Sequence, residues 1–167
     1  SIIDAHSAVL ASGVDAPGRM VMAMGTSTCH LILDKREVFA EGVAGVVQDG
    51  VLPGYYAYES GQAAVGDIFA WVTKLGLPED YYQESKEINI SIHELLLRKS
   101  VDQKVCQHGL LALDWLNGNR SVLMDSDLSG VLVGLTLNTK AEDIYRAMIE
   151  GTAFGTRVII ENFEKNG

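Results

Sequence analysis

Four short segments carry the side chains that could do chemistry, and acidic and hydroxyl groups dominate them. Asp4 stands where the apolar pair Ile2-Ile3 passes into a run of small residues. A carboxylate at such a junction is favoured by the unpaired N–H groups of a helix start and by the positive end of its dipole. Those groups stabilise the ionised form, so Asp4 would serve as a base through its position rather than through a raised pKa. The same residue could equally be a plain helix cap. His6 follows two places later, but no His-x-His pair or matching acid accompanies it. No metal site is predicted from it.

Gly25-Thr26-Ser27 lies between two apolar runs. Glycine there allows close backbone approach, and exposed N–H groups with two hydroxyls can receive phosphate oxygens. No Gly-Lys-Ser/Thr follows, so this is not a Walker loop, and a tight β-turn explains it as well. Glu59 sits in Tyr58-Glu59-Ser60-Gly61-Gln62, just before a predicted helix beginning at Gly61. Its two oxygens could accept sugar hydroxyls, and the helix start could face phosphate. The alternative is a first-turn acid balancing the dipole. Gln62 is a weaker candidate, and Asp67 reads as a solvated residue. Tyr55, Tyr56 and Tyr58 pack or wall a pocket. Arg120, in Asn117-Gly118-Asn119-Arg120, reads as an exposed cation able to meet an anion.

The elements needed to hold these residues follow from the apolar pattern. The spacing predicts the end of a strand at Ile2-Ile3, a short helix to Ala11 and a turn over residues 13–18. Strands are predicted at Met20–Met24, Thr28–Leu33 and Val43–Val47, with another strand end near Tyr58. Such closely spaced strands imply an antiparallel meander over residues 19–60. From Gln62 the period becomes helical, and Gly76 with Pro78 ends that helix after Leu75. A second helix spans Ile90–Lys99 behind a Ser91/Glu94 capping box. Short strand candidates lie at Leu110–Leu113 and Val131–Leu135. A long helix runs from Ala141 to Phe163 behind Thr139 and Glu142, and Asn166-Gly167 forms a C-cap. Ile144, Met148 and Val158 would share one helix face, with Gly151 and Gly155 allowing close packing. Strands first and helices later suggest an α/β domain.

With 167 residues, 47% of them hydrophobic, the chain can bury one sizeable core. A net charge of −9 argues against nucleic-acid or anionic-membrane surfaces, which reward clustered cations. It leaves nucleotide binding open, because backbone N–H groups and Mg²⁺ can hold phosphate. Cys29 and Cys106 lack metal-ligand spacing and read as two buried thiols of a reducing cytoplasm, with a disulfide as the alternative. No apolar run reaches the roughly 18 residues of a membrane span, and no signal peptide is visible, so a cytoplasmic location is expected.

One combination resembles a known family. Gly130-x-Leu132-x-Gly134-Leu135, seven residues, then Asp143-Ile144-x-x-Ala147-Met148-Ile149-Glu150 is similar to the second signature of the FGGY carbohydrate kinases. Asp4-Ala5-His6, Gly25-Thr26-Ser27 and Tyr58-to-Gln62 match corresponding parts of that family in order. The run Tyr58–Asp67 is most similar to the branch acting on the ketopentose L-ribulose. The resemblance implies a ribonuclease H-like, actin-like domain, a mixed sheet with flanking helices, forming the second half of a two-domain enzyme. It implies Asp4 as general base, Asp4 and Glu59 on the sugar, and Gly25, Thr26, Ser27 and Gly61 on ATP, with Mg²⁺ across the phosphates.

The implied reaction is ATP-dependent phosphorylation of L-ribulose at its 5-hydroxyl. The rivals are another sugar or polyol substrate of the family, xylulose included, or a non-catalytic actin-like module. Three parts are expected: residues 1–18 with the catalytic Asp, 19–60 as the meander, and 61–167 as the helical part. The family's N-terminal phosphate loop and its final adenosine-binding segment are not in the sequence, so the chain alone is expected to be inactive. Self-association is left open.

Overall fold

A computed structural model describes residues 3–167. Ile2 of the expected strand end lies outside them, and Ile3 is extended, with φ −76° and ψ 156°, directly before the first helix. That helix, α1 (Asp4–Ala11), starts with the Asp4 carboxylate accepting the Ala5 N–H at 2.8 Å. Ala5 and Val9, four residues apart and so on one face, are its buried residues. Gly13, at φ 71°, lets the chain leave the helix end in the left-handed region.

The strands are β1 (Met20–Met24), β2 (Thr28–Asp34), β3 (Gly45–Gln48) and β4 (Tyr56–Gln62). The first matches its expected span, and β3 begins two residues later than expected. Their order is β1-β2-β4-β3, every neighbour antiparallel. The expected meander is therefore corrected: β4 passes inside β3 and pairs with β2 along seven residues, from Thr28↔Gln62 to Asp34↔Tyr56. The central position suits β4 because its apolar and small residues are covered on both faces, whereas all four residues of β3 are exposed at the edge.

Alternation along β2 sorts the two faces of this sheet. Leu31 and Leu33, with Ala57 opposite Leu33, meet Ala5 and Val9 of α1 in one core. The opposite face carries Thr28, His30 and Ser60, all buried, with Gln62.

A second core lies among α2 (Gly66–Lys74), α4 (Ile92–Ser100) and α5 (Ala141–Asn166), centred on Ile68, Val72, Leu96, Tyr145 and Met148. Burying each of these large side chains contributes at most about 1.5–3 kcal/mol. Between α2 and α4 stands α3 (Glu79–Glu87), absent from the sequence expectation. Ser85 is its single buried residue, so it shows no apolar period. Tyr82, bonded to the Thr73 carbonyl at 2.8 Å, and the Glu84–Lys99 ion pair at 2.7 Å hold it instead.

The last elements, β5 (Leu111–Leu113) and β6 (Val131–Val133), form a two-stranded ladder against α5. Gly151 makes that packing possible, since a Cβ there would stand 2.8 Å from the Ala112 carbonyl oxygen. The cap of α5 falls one residue beyond expectation: Asp143, not Glu142, accepts the N–H of its N-cap residue, Lys140, at 2.8 Å. Val158 proves exposed, and Ile159 is buried in its stead. Cys106 is also exposed and Cys29 half-buried, so the expectation of two buried thiols is corrected. Among the described residues no helix is long and apolar enough to cross a membrane.

Candidate functional site

The site is built where the β1–β2 turn meets the exit of β4. Gly25 N–H donates to the Ser27 carbonyl at 2.8 Å, which closes the turn. Two further carbonyls of the turn are taken by the entry to α2. Gly66 N–H donates to the Gly25 oxygen at 3.0 Å, and Val65 N–H to the Thr26 oxygen at 2.8 Å. In a trans peptide the C=O and the following N–H point in opposite directions. The N–H groups of Thr26 and Ser27 therefore point away from α2, side by side. Successive N–H groups aimed one way form a nest for anions, and the two hydroxyls are next to it. Thr26 is exposed and Ser27 half-buried.

Gly61 does not begin a helix, which corrects that expectation. It lies inside β4 opposite Cys29, and α2 starts five residues later at Gly66. Gln62 is still held in the ladder by Thr28, and Ala63, Ala64 and Val65 intervene before the helix. The conformational demand at Gly61 is steric: an added Cβ would meet the Thr28 carbonyl at 2.7 Å and Arg120 at 3.2 Å.

Glu59 lies three residues before Gln62, about 10 Å along the strand from the turn. It projects to the face covered by α1 and there joins three residues. His6 Nε2 stands 3.0 Å from Glu59 Oε2. A carboxylate can only accept, so the proton of this contact is on Nε2. Arg120 forms an ion pair with Glu59 Oε1 through one terminal guanidinium nitrogen. Cys29, two residues along the same face of β2, donates its thiol to Oε1 at 3.7 Å, while the other terminal nitrogen of Arg120 reaches its sulfur at 3.6 Å. Burial raises the Cys29 pKa and the Glu59 charge raises it further, against the opposing pull of Arg120. The thiol thus stays protonated and is a donor.

Asp4 is exposed at the first turn of α1, two residues from the His6 that touches Glu59. The structure so brings the α1 start and Glu59 together, and sets the Gly25–Ser27 nest beyond the Gln62 end of β4, three residues from Glu59. Asp67 is exposed, as expected. Arg120 is not the free cation that its loop suggested, since its side chain is 36% exposed and paired. Nor does His6 stand alone. Neither partnership leaves a local mark: 53 and 61 residues separate them from Glu59. The tyrosines pack; the Tyr58 hydroxyl accepts from Val38 N–H at 2.6 Å and donates to the Arg36 carbonyl at 2.8 Å.

Gln62 is structural. Its amide donates to Asp114 at 2.6 Å and to the Thr152 carbonyl at 2.8 Å, and its oxygen accepts from Thr156 at 2.9 Å. Asp114, which no sequence motif singled out, is buried beside a cleft of about 460 Å³ lined mainly by apolar side chains of β5, α5 and the 115–123 loop. Burial raises its pKa, and the Gln62 amide opposes that.

Residues 20–167 match the C-terminal domain of the FGGY family of carbohydrate kinases. The ribulokinases of Shouchella clausii and Halalkalibacterium halodurans are each 54% identical to the chain over 165 residues, covering 99% of it and 29% of themselves. The chain thus spans under a third of the length of these curated relatives. Among solved structures, a xylulose kinase from Rhodospirillum rubrum superposes with a TM-score of 0.80 at 22% identity, over 97% of the chain and 30% of that protein. A Plasmodium falciparum glycerol kinase solved with ADP gives 0.72 at 22% identity, over 98% and 31%. The fold is therefore the actin-like one of these sugar kinases.

Proposed function

The chain belongs to the FGGY family of carbohydrate kinases, and on that premise we propose that it is the C-terminal part of an enzyme that phosphorylates L-ribulose with ATP. The choice of sugar is supported by 54% identity to ribulokinases. The observation that carries the chemistry is the contact of the α1 start with Glu59, on the strand whose far end, about 10 Å away, leads to the Thr26–Ser27 nest. ATP would supply the transferred phosphoryl group, and the residues of the nest suit its phosphates. Among the described residues no cluster of acids, histidines or cysteines is arranged to hold a metal, so Mg²⁺ belongs with the nucleotide in this reading.

In it, Glu59 accepts a sugar hydroxyl and so fixes the ring-opened chain against β4. Asp4 takes the proton of the attacking hydroxyl. Its exposure in the first turn of α1 leaves it free to reach a substrate. Phosphoryl transfer asks mainly for alignment and charge stabilisation, which an inner strand and a helix start provide. The chain by itself supplies one wall of such a cleft and is inactive alone.

A substrate panel on the complete enzyme tests this. L-Ribulose should give the highest kcat/KM, with D-xylulose and polyols well below; a preference for D-xylulose would move the enzyme to another branch. Asp4→Asn should lower kcat by about 10²- to 10⁴-fold. An unchanged kcat would remove Asp4 from the role of base.

A further inference from the structure

The Glu59 carboxylate is held from three directions, and what remains of it defines its use. A carboxylate offers about four lone-pair positions. Arg120 and Cys29 occupy Oε1, and His6 occupies one side of Oε2. One acceptor direction, on Oε2, is left. The side chain of Glu59 is 18% exposed, so it is not sealed from solvent. Its three partners come from three different elements: α1, β2 and the loop after β5.

The His6 contact does a second thing. His6 is in the first turn of α1, together with Asp4, whereas Glu59 is in the middle of β4. The remaining anchors of α1, Ala5 and Val9, are apolar and turn one face of the helix to the sheet. The directed bond from His6 adds an angular constraint at the first turn, because a hydrogen bond weakens steeply away from its preferred angle.

We propose that His6 and Arg120 are positioning residues that clamp Glu59 so that a single Oε2 direction receives a substrate hydroxyl, and that His6 also sets the distance between Asp4 and Glu59. This inference rests on the reading of Glu59 as a sugar-holding residue. His6 acts on both reacting partners through one bond: Glu59 loses its orientation when the bond goes, and the turn carrying Asp4 loses its register. Arg120 acts on Glu59 alone. It also offsets the carboxylate charge, which lowers repulsion toward an incoming polyphosphate.

The test is steady-state kinetics of the complete enzyme with L-ribulose and MgATP. His6→Ala should raise the sugar KM about tenfold or more and lower kcat as well, the loss expected for a charge-assisted hydrogen bond. His6→Gln, whose amide nitrogen reaches the position of Nε2, should restore both to within about threefold. His6→Asn is polar but too short, and should behave like His6→Ala; it carries the comparison with His6→Gln should His6→Ala not fold. Arg120→Lys should raise the sugar KM with little change in kcat, and the nucleotide KM should stay constant throughout. Glu59→Gln separates the two levels. If Glu59→Gln raises the sugar KM while His6→Ala does not, the clamp is wrong and the sugar site stands. Equal losses in His6→Gln and His6→Asn would also overturn the clamp, since reach would not matter. If Glu59→Gln leaves the sugar KM unchanged, the sugar-site reading fails and takes the clamp with it.

Discussion

The N–H of Gly66 donates to the carbonyl oxygen of Gly25 at 3.0 Å, which joins the β1–β2 turn to the start of α2. The contact is close because Gly66 has no side chain. A Cβ on Gly66 would stand 2.7 Å from that same oxygen, so any other residue displaces the turn.

Gly66→Ala in the complete enzyme should therefore raise the KM for MgATP about tenfold or more, as a misplaced group commonly does. The sugar KM should change less than about threefold, because Glu59 is held by other partners. Separate titrations of the two substrates check this. An equal rise in both would argue that the turn supports the whole sheet edge rather than the nucleotide.

His30 has no exposed surface and, among the described residues, neither ring nitrogen has a hydrogen-bond partner. Burial, helped by the positive charge of Arg120, lowers its pKa from 6.5 to about 4. The folded ring is neutral while the unfolded chain takes up a proton below pH 6.5. Stability is thus lost as the pH falls from about 6.5 toward 4, at up to about 1.4 kcal/mol per pH unit. His30→Leu should flatten that part of the curve in urea titrations at successive pH values. The same slope in both proteins would show that the ring is protonated in place.

Asp114 has the opposite pH behaviour. Its folded pKa is raised above the ordinary 3.8 by burial, so its ionised form is less favourable in the fold than in the unfolded chain. The stability it contributes is present at low pH and declines as the pH rises through its folded pKa. Asp114→Asn keeps an acceptor for the Gln62 amide and removes the buried charge. Its unfolding midpoint at pH 7 should lie above that of the parent, and the two should converge near pH 3. A lower midpoint at pH 7 would mean that the charged bond to Gln62 outweighs desolvation.

Much of the local structure was legible in the sequence because its causes are local. Met20–Met24 is bounded by Gly18 and Gly25, and its strand matches those limits. Ser91 accepts the Glu94 N–H at 3.1 Å, as its capping pattern indicated, and α4 follows. Gly151 and Gly155 mark close packing on α5, and the structure sets Ala112 and Gln62 against them. Where local cause was weak the reading slipped. Polar α3 shows no period, and the glycine at 61 suggested a helix start where the chain in fact continues in a strand.

Taken alone, the sequence determined the candidate groups, Asp4, the 25–27 turn and Glu59, together with most of the elements that bear them. Spacing, capping and turn chemistry act within a few residues and can be read along the chain. Tertiary structure decided which of these groups meet. Placing β4 beside β2, inside β3, sets Glu59 under α1 within reach of His6, Cys29 and Arg120 and puts its exit against the Gly25 turn. In a meander β4 would lie one strand, about 4.8 Å, farther from β2, and those contacts would be lost. Strand order depends on which faces are buried together, a balance over the whole domain that no short motif encodes.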